Sequence, residues 1–290
     1  MSVPVVDVLL PLALAFIMFA LGLTLVPADF ARLLARPKAV TAGLLGQMVL
    51  VPALAWGVAL AWGLPPEMAA GLVILAACPG GASSGLITYL ARGETALSIT
   101  LTAVTSLAAV LSVPLVVNMG LQHFLGAAAA VDLPVGRIVR GVFIITTVPV
   151  ALGMLMRVWR PRWVERMEKP AGKVATLLFL AIVVATFVSQ REALWANLPT
   201  VGPAAAALNL GVMLGGAGLA RLLRLGRRDA VAIATECGLQ NAALGIFVAG
   251  TVLAQPALAV PSVVYALLMN VGALGLVWWG RRQPAPLAAA

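Results

Sequence analysis

Residues 234–245 read ATECGLQNAALG, a carboxylate, a glutamine and an asparagine set around a glycine inside an otherwise apolar run. What that stretch means depends on its solvent. Of the 290 residues, 62% are hydrophobic and only 10% charged, where a soluble domain has about 45–50% and about 25%. The stretch therefore belongs to an integral membrane protein. Such a chain spans the bilayer as helices, because every backbone polar group must be satisfied internally. The net charge of +9 does not indicate nucleic acid, since the basic residues form short clusters between apolar runs and no stripe interleaved with aromatics. Cys78 and Cys237 supply neither a disulfide framework nor a metal motif.

A membrane-spanning helix needs about 20 mostly apolar residues. That template predicts nine spans, near 5–26, 40–63, 68–91, 94–119, 137–157, 171–189, 201–221, 229–252 and 261–279. The first, MSVPVVDVLL onward, lacks a basic leader region and a small-residue cleavage site, and reads as a retained span. With nine spans, sixteen of the nineteen Lys and Arg fall on one side, and only Arg137, Arg140 and Arg191 on the other. The positive-inside rule then places the N-terminus outside and the C-terminus in the cytoplasm. Residues 28–36 and 191–198 read as short interfacial helices. No linker separates soluble domains, and no obligatory protein partner is evident.

Two of these spans are interrupted. In the third, AACPGGASSG at 76–85 brings Pro79, Gly80 and Gly81 together at mid-depth, where proline removes a donor and glycine weakens the helix. In the eighth, Gly238 stands among polar side chains. Corresponding flaws in two halves point to an inverted-repeat transporter with its site at the midplane, the halves being 1–121 and 135–282. The plainer reading is a pair of kinks, which membrane helices tolerate. The GGAG at 215–218 reads as close helix packing, not a phosphate loop.

Of ten acidic residues, Glu236 alone lies well inside a span. A carboxylate at that depth costs at least about 2.5 kcal/mol and needs a proton, a basic side chain or a cation. No Lys or Arg lies at matching depth, and the lone histidine, His123, falls in an outer connection as a solvated loop residue. A bound cation or a proton remains. Sodium, a hard cation, takes oxygen ligands, and oxygens cluster near the breaks: Gln47, Ser83, Ser84, Ser98, Thr102, Gln240 and the carbonyls freed around Cys237 and Leu239. Ser98 and Thr102, four residues apart, share a helix face. With one histidine, no HExxH and one intramembrane acid, the chain carries no catalytic constellation.

The runs LTLVPADFARLLARPKAV, CPGGASSGLITYLARGETALSITLT and ECGLQNAALG together resemble the bile acid:sodium symporter family, in particular its bacterial members. The resemblance runs through nearly the whole chain and implies a nine-span form that lacks the family's first helix. It implies a core domain, in which two broken helices cross, moving against a smaller panel domain in the bacterial inner membrane. It also implies two sodium sites meeting at Glu236: one from Ser84, Ser98, Thr102 and Glu236, the other from Gln47, Glu236, Gln240 and the carbonyls of Cys237 and Leu239. Relatives commonly carry Asn after the serine of the first break, where this chain has Gly85. The departure implies a weakened first site, or space for a bulkier substrate. Ala82, Ser83, Asn241 and Asn270 resemble positions that border the substrate.

Each half-helix that follows a break, near Ala82 and near Gln240, exposes N–H groups and a positive dipole end that favour an anion. The substrate expected is a small organic anion, such as a bile acid, pantoate or a similar carboxylate, imported with sodium. A proton-coupled or sodium-independent carrier is the alternative, and a channel a weaker one.

Overall fold

The computed structural model describes residues 4–26, 28, 35–126, 135–189 and 191–282, and its named elements are all helical. They are α1 (Pro4–Leu23), α2 (Pro37–Ala61), α3 (Pro66–Ala77), α4 (Ser84–Leu90), α5 (Thr95–Leu125) and α6 (Val135–Trp159). They continue with α7 (Pro161–Ser189), α8 (Arg191–Leu222), α9 (Arg227–Gly238), α10 (Ala242–Val252) and α11 (Pro256–Arg281). Six of them, α2, α5, α6, α7, α8 and α11, are long and apolar enough to cross a membrane. The chain is an all-helical integral membrane protein.

Prolines shape several of these helices without ending them. Pro52 and Pro149 lack the N–H that continues an α-helical ladder, and each is preceded by one wider π-turn, Gly46–Leu50 in α2 and Phe143–Thr147 in α6. The first of these turns carries Gln47 inward, where it is buried. Pro199 and Pro203 lie inside α8, so 191–198 is not the separate interfacial helix expected but the start of one long helix. Arg191, Glu192, Ala193 and Leu194 are good helix formers, and no glycine stands between them and Pro199 to release the chain. Helix α7 likewise begins at Pro161, ten residues before the apolar run, with Val164 buried among exposed charged neighbours. His123 is helical rather than a loop residue, near the end of α5, its ring 5.1 Å from Trp56 and 4.7 Å from Phe124. The interfacial helix expected at 28–36 lies mostly outside the described residues.

Packing divides the helices. Helix α1 packs on α6 and α7, α6 also packs along α5, and α2, α3, α5, α8, α9 and α11 pack on one another. Small residues allow the close crossings: a Cβ on Gly22 would collide with the Val150 carbonyl of α6, and one on Gly216 of α8 would crowd Ile233 O, Cys237 Sγ and Ala234 Cα of α9 at 3.1–3.3 Å. The GGAG stretch thus serves close packing, as its composition indicates.

Candidate functional site

Both expected breaks are present, and they meet. Helix α3 ends at Cys78, whose extended backbone (φ −72°, ψ 153°) is what the clash with Pro79 demands. The freed backbone runs antiparallel to the second break, Gly80 facing Gln240. Asn241 N donates to Pro79 O at 2.9 Å and Gly81 N to Leu239 O at 2.5 Å. Peptide groups that one broken helix would leave unpaired inside the membrane satisfy those of the other. Each break needs the second.

Glu236, in the last turn of α9, is fully buried at this crossing. Its Oε2 accepts from Thr102 Oγ1 at 2.8 Å and from Ser98 Oγ at 3.5 Å. Ser84 Oγ lies 2.9 Å from Thr102 Oγ1 and accepts from Ser98 Oγ at 3.2 Å. Four side chains that were expected to share a site therefore form one polar knot. Glu236 Oε1 has no hydrogen-bond partner and lies against Gly80, where any Cβ would collide with it. Gly80 has an ordinary negative φ; it is glycine so that the carboxylate can touch the backbone. The ion pairs among the described residues, Arg36–Asp229, Arg157–Glu168 and Arg228–Glu94, leave Glu236 out. The space beside Gly85 is not open, since a Cβ there would meet Ile99 Cγ1 at 2.7 Å. Ile99 fills the room in which a larger substrate was expected to fit.

The second expected set is also together, and its groups satisfy one another. Gln47 Nε2 donates to Gln240 Oε1 at 2.8 Å and to Cys78 O at 2.9 Å, while Gln240 Nε2 donates to Cys237 O at 2.7 Å. The Leu239 carbonyl is taken by Gly81 N. No hydrogen bond among the described residues joins Glu236 to Gln47 or Gln240, and the carboxylate turns toward the hydroxyl knot instead.

The residues expected to border the substrate are dispersed. Ala82 and Ser83 are exposed at the turn into α4, on a face that continues with exposed Leu86 and Tyr89. Asn241 is buried and caps α10, its Oδ1 accepting from Leu244 N at 3.1 Å. The helix end expected to offer free N–H groups near Gln240 is thus largely closed by its own asparagine. Asn270 is exposed on α11 and its amide donates back to Ala266 O at 2.6 Å.

Two groups escaped the sequence. Asn209 Nδ2 on α8 and Tyr265 OH on α11 both donate to Gly238 O, at 2.8 and 3.0 Å, holding the carbonyl that the second break releases. Asp229, at the start of the eighth span, is buried in the first turn of α9, and its Oδ1 and Oδ2 accept from Arg36 Nη2 at 2.8 and 2.7 Å. Neither carries a local signal, because the partners lie 29 and 193 residues away in sequence.

Two broken helices that cross at a buried carboxylate, in an all-helical membrane chain, define a membrane transporter. The chain belongs to the Sodium Bile acid symporter family, whose model matches residues 11–197. It is a transporter and not an enzyme. It is 29% identical over 279 residues to the probable sodium/metabolite cotransporter BASS2, chloroplastic, of rice, covering 96% of this chain and 65% of that protein. It is 30% identical over 271 residues to the sodium-dependent transporter YocS of Bacillus subtilis, covering 93% and 82%. The P3 protein of Homo sapiens is 28% identical over 219 residues, 74% of this chain and 44% of that protein. The chain thus spans about two thirds of the length of the rice relative.

Proposed function

We propose that this chain is a sodium-coupled symporter that imports a small organic anion by alternating access. The observation that carries the reading is Glu236, fully buried with one oxygen unpartnered, beside three hydroxyls and no basic side chain. The names of the rice and Bacillus relatives, a sodium/metabolite cotransporter and a sodium-dependent transporter, agree with sodium as the ion. Sodium here is cargo. Ser84, Ser98, Thr102 and Glu236 would hold one ion once the hydroxyl protons turn outward. Gln47, Gln240, Glu236 and the carbonyls of Cys237 and Leu239 would hold a second after the glutamine pair opens.

In this reading the chain crosses the membrane nine times, with α3 and α4 forming the third crossing and α9 and α10 the eighth. The N-terminus lies outside and the C-terminus in the cytoplasm of a bacterial inner membrane. The helices packed around the breaks act as the core, while α1, α6 and α7 act as the panel. The substrate, a bile acid, pantoate or a similar carboxylate, would enter at exposed Ala82 and Ser83, with Asn241 and Asn270 joining it on movement. Asn241 can bind it only by leaving its cap, which would couple substrate to the second break.

Uptake of labelled taurocholate and pantoate into proteoliposomes, under an inward sodium gradient at equal pH on both sides, tests this. Accumulation above equilibrium that collapses when potassium replaces sodium is the expected result. Accumulation driven by a pH gradient without sodium would make Glu236 a proton carrier instead.

A further inference from the structure

A cleft of about 540 Å³ runs between α8 and α11, lined in part by Asn209, whose amide donates to Gly238 O of the second break. That size is typical of ligand sites, about 300–1,000 Å³. Most of its wall is apolar, with Leu210, Met213 and Leu214 from α8 facing Val271 and Leu276 from α11. Leu210, Leu214 and Val271 are 60%, 63% and 67% exposed, so the cleft opens on the surface that a membrane protein turns to lipid. One end is different. Arg221, in the last turn of α8, and Trp279, near the end of α11, line it together.

That end offers cationic donors in search of an acceptor. Arg221 is exposed and has no carboxylate partner among the described residues. The Arg227 guanidinium lies 5.1 Å from the Trp279 ring centre and donates to Gly280 O at 2.9 Å, while its Nε is buried without a hydrogen-bond partner. The positive-inside count puts this end at the cytoplasmic surface, where the leaflet carries anionic headgroups.

The geometry points to an anionic phospholipid of the cytoplasmic leaflet as the occupant, its phosphate beside Arg221 and the Arg227–Trp279 pair and one acyl chain lying along the cleft over Asn209. A small soluble anion would meet the arginines but leave the apolar length uncovered. A neutral lipid would fill that length but leave the cations without a counter-charge. Basic pockets between membrane helices at this level suit anionic headgroups, and a tryptophan suits the interface. The occupant would also touch Asn209, which holds Gly238 O only two residues from Glu236.

Lipid retained by the purified full-length protein, measured by native mass spectrometry with phosphatidylglycerol and phosphatidylcholine of identical chains, decides the matter. Wild type should keep phosphatidylglycerol in preference. Arg221→Gln should lower that retention about five-fold, the ~1 kcal/mol a basic side chain contributes at an anionic surface, and leave phosphatidylcholine unchanged. Gly275→Phe should displace both lipids, because a Cβ at Gly275 meets nothing within 4 Å and the ring can grow into the cleft. Equal retention of the two lipids by wild type would overturn the proposal, as would undiminished phosphatidylglycerol in Gly275→Phe. Displacement of the lipid by inorganic phosphate alone would also overturn it, reducing the site to an anion site. Gel filtration reports folding of each variant, and Gly275→Phe decides alone if Arg221→Gln does not fold.

Discussion

At Glu236 the magnitudes decide which groups matter. Burying the carboxylate costs at least about 2.5 kcal/mol, and one good hydrogen bond to a charged group returns about 1.5–3 kcal/mol. Thr102 makes such a bond at 2.8 Å, Ser98 at 3.5 Å is at the limit, and Oε1 has none. The carboxylate is left short of compensation, which in the proposed function a cation supplies. Glu236→Gln is expected to abolish sodium-driven uptake while the protein still elutes as a folded species. Wild-type accumulation by that variant would refute the role. Thr102→Val should weaken apparent sodium affinity about ten-fold or more, and Ser98→Ala less, in a sodium titration of substrate binding; the reverse order would show that the hydroxyl knot is not the ion site. Restoring the missing amide as Gly85→Asn should fail to raise sodium affinity, because Ile99 occupies its space. The double variant Gly85→Asn with Ile99→Ala should raise it, and equal titrations for the two would remove Ile99 from the account.

The two breaks are single structural elements made of both half-spans. Pro79 O, Gly81 N, Leu239 O and Asn241 N pair across the crossing, so disturbing one break disturbs the other. Gly80→Ala puts a methyl group into the Glu236 carboxylate, an overpacking that costs about 1–3 kcal/mol. The variant should lose transport and several degrees of thermal stability in detergent; unchanged melting and uptake would mean the carboxylate lies elsewhere. Asn209→Leu removes one of two donors to Gly238 O, a loss of about 1–3 kcal/mol. It is expected to lower the melting temperature and sodium affinity together, and a fall in melting temperature with sodium affinity intact would confine Asn209 to a packing role. The breaks themselves were legible from Pro79, Gly80 and Gly238, because helix propensity is local. That Gly80 makes room for a carboxylate 156 residues away was not.

Across the whole molecule, α1 with α6 and α7 forms one group and the helices around the breaks another, the two meeting where α6 packs along α5. Movement of one against the other would expose Asn241, which is buried here beside Met18 of α1, at 3.8 Å from its sulfur. Both native cysteines, Cys78 and Cys237, are buried and should remain silent to a polar thiol reagent. A cysteine at Asn241 should therefore be modified at rates that differ with and without sodium, while one at exposed Ser83 reports the state described here. Identical rates at Asn241 across sodium concentrations that drive uptake would argue for a static pore.

Composition and period alone determined that this chain is helical and lies in a membrane, because apolar content and span length are sums over neighbouring residues. They also placed both breaks and singled out Glu236 as the one acid inside a span. Tertiary structure decided the rest: which hydroxyls reach that acid, that Ile99 closes the space at Gly85, that Asn241 caps its own helix, and that Asp229 is held by Arg36. Each of those facts depends on how helices distant in sequence cross. Crossing is set by small residues such as Gly22, Gly80 and Gly216, whose partners no local pattern names.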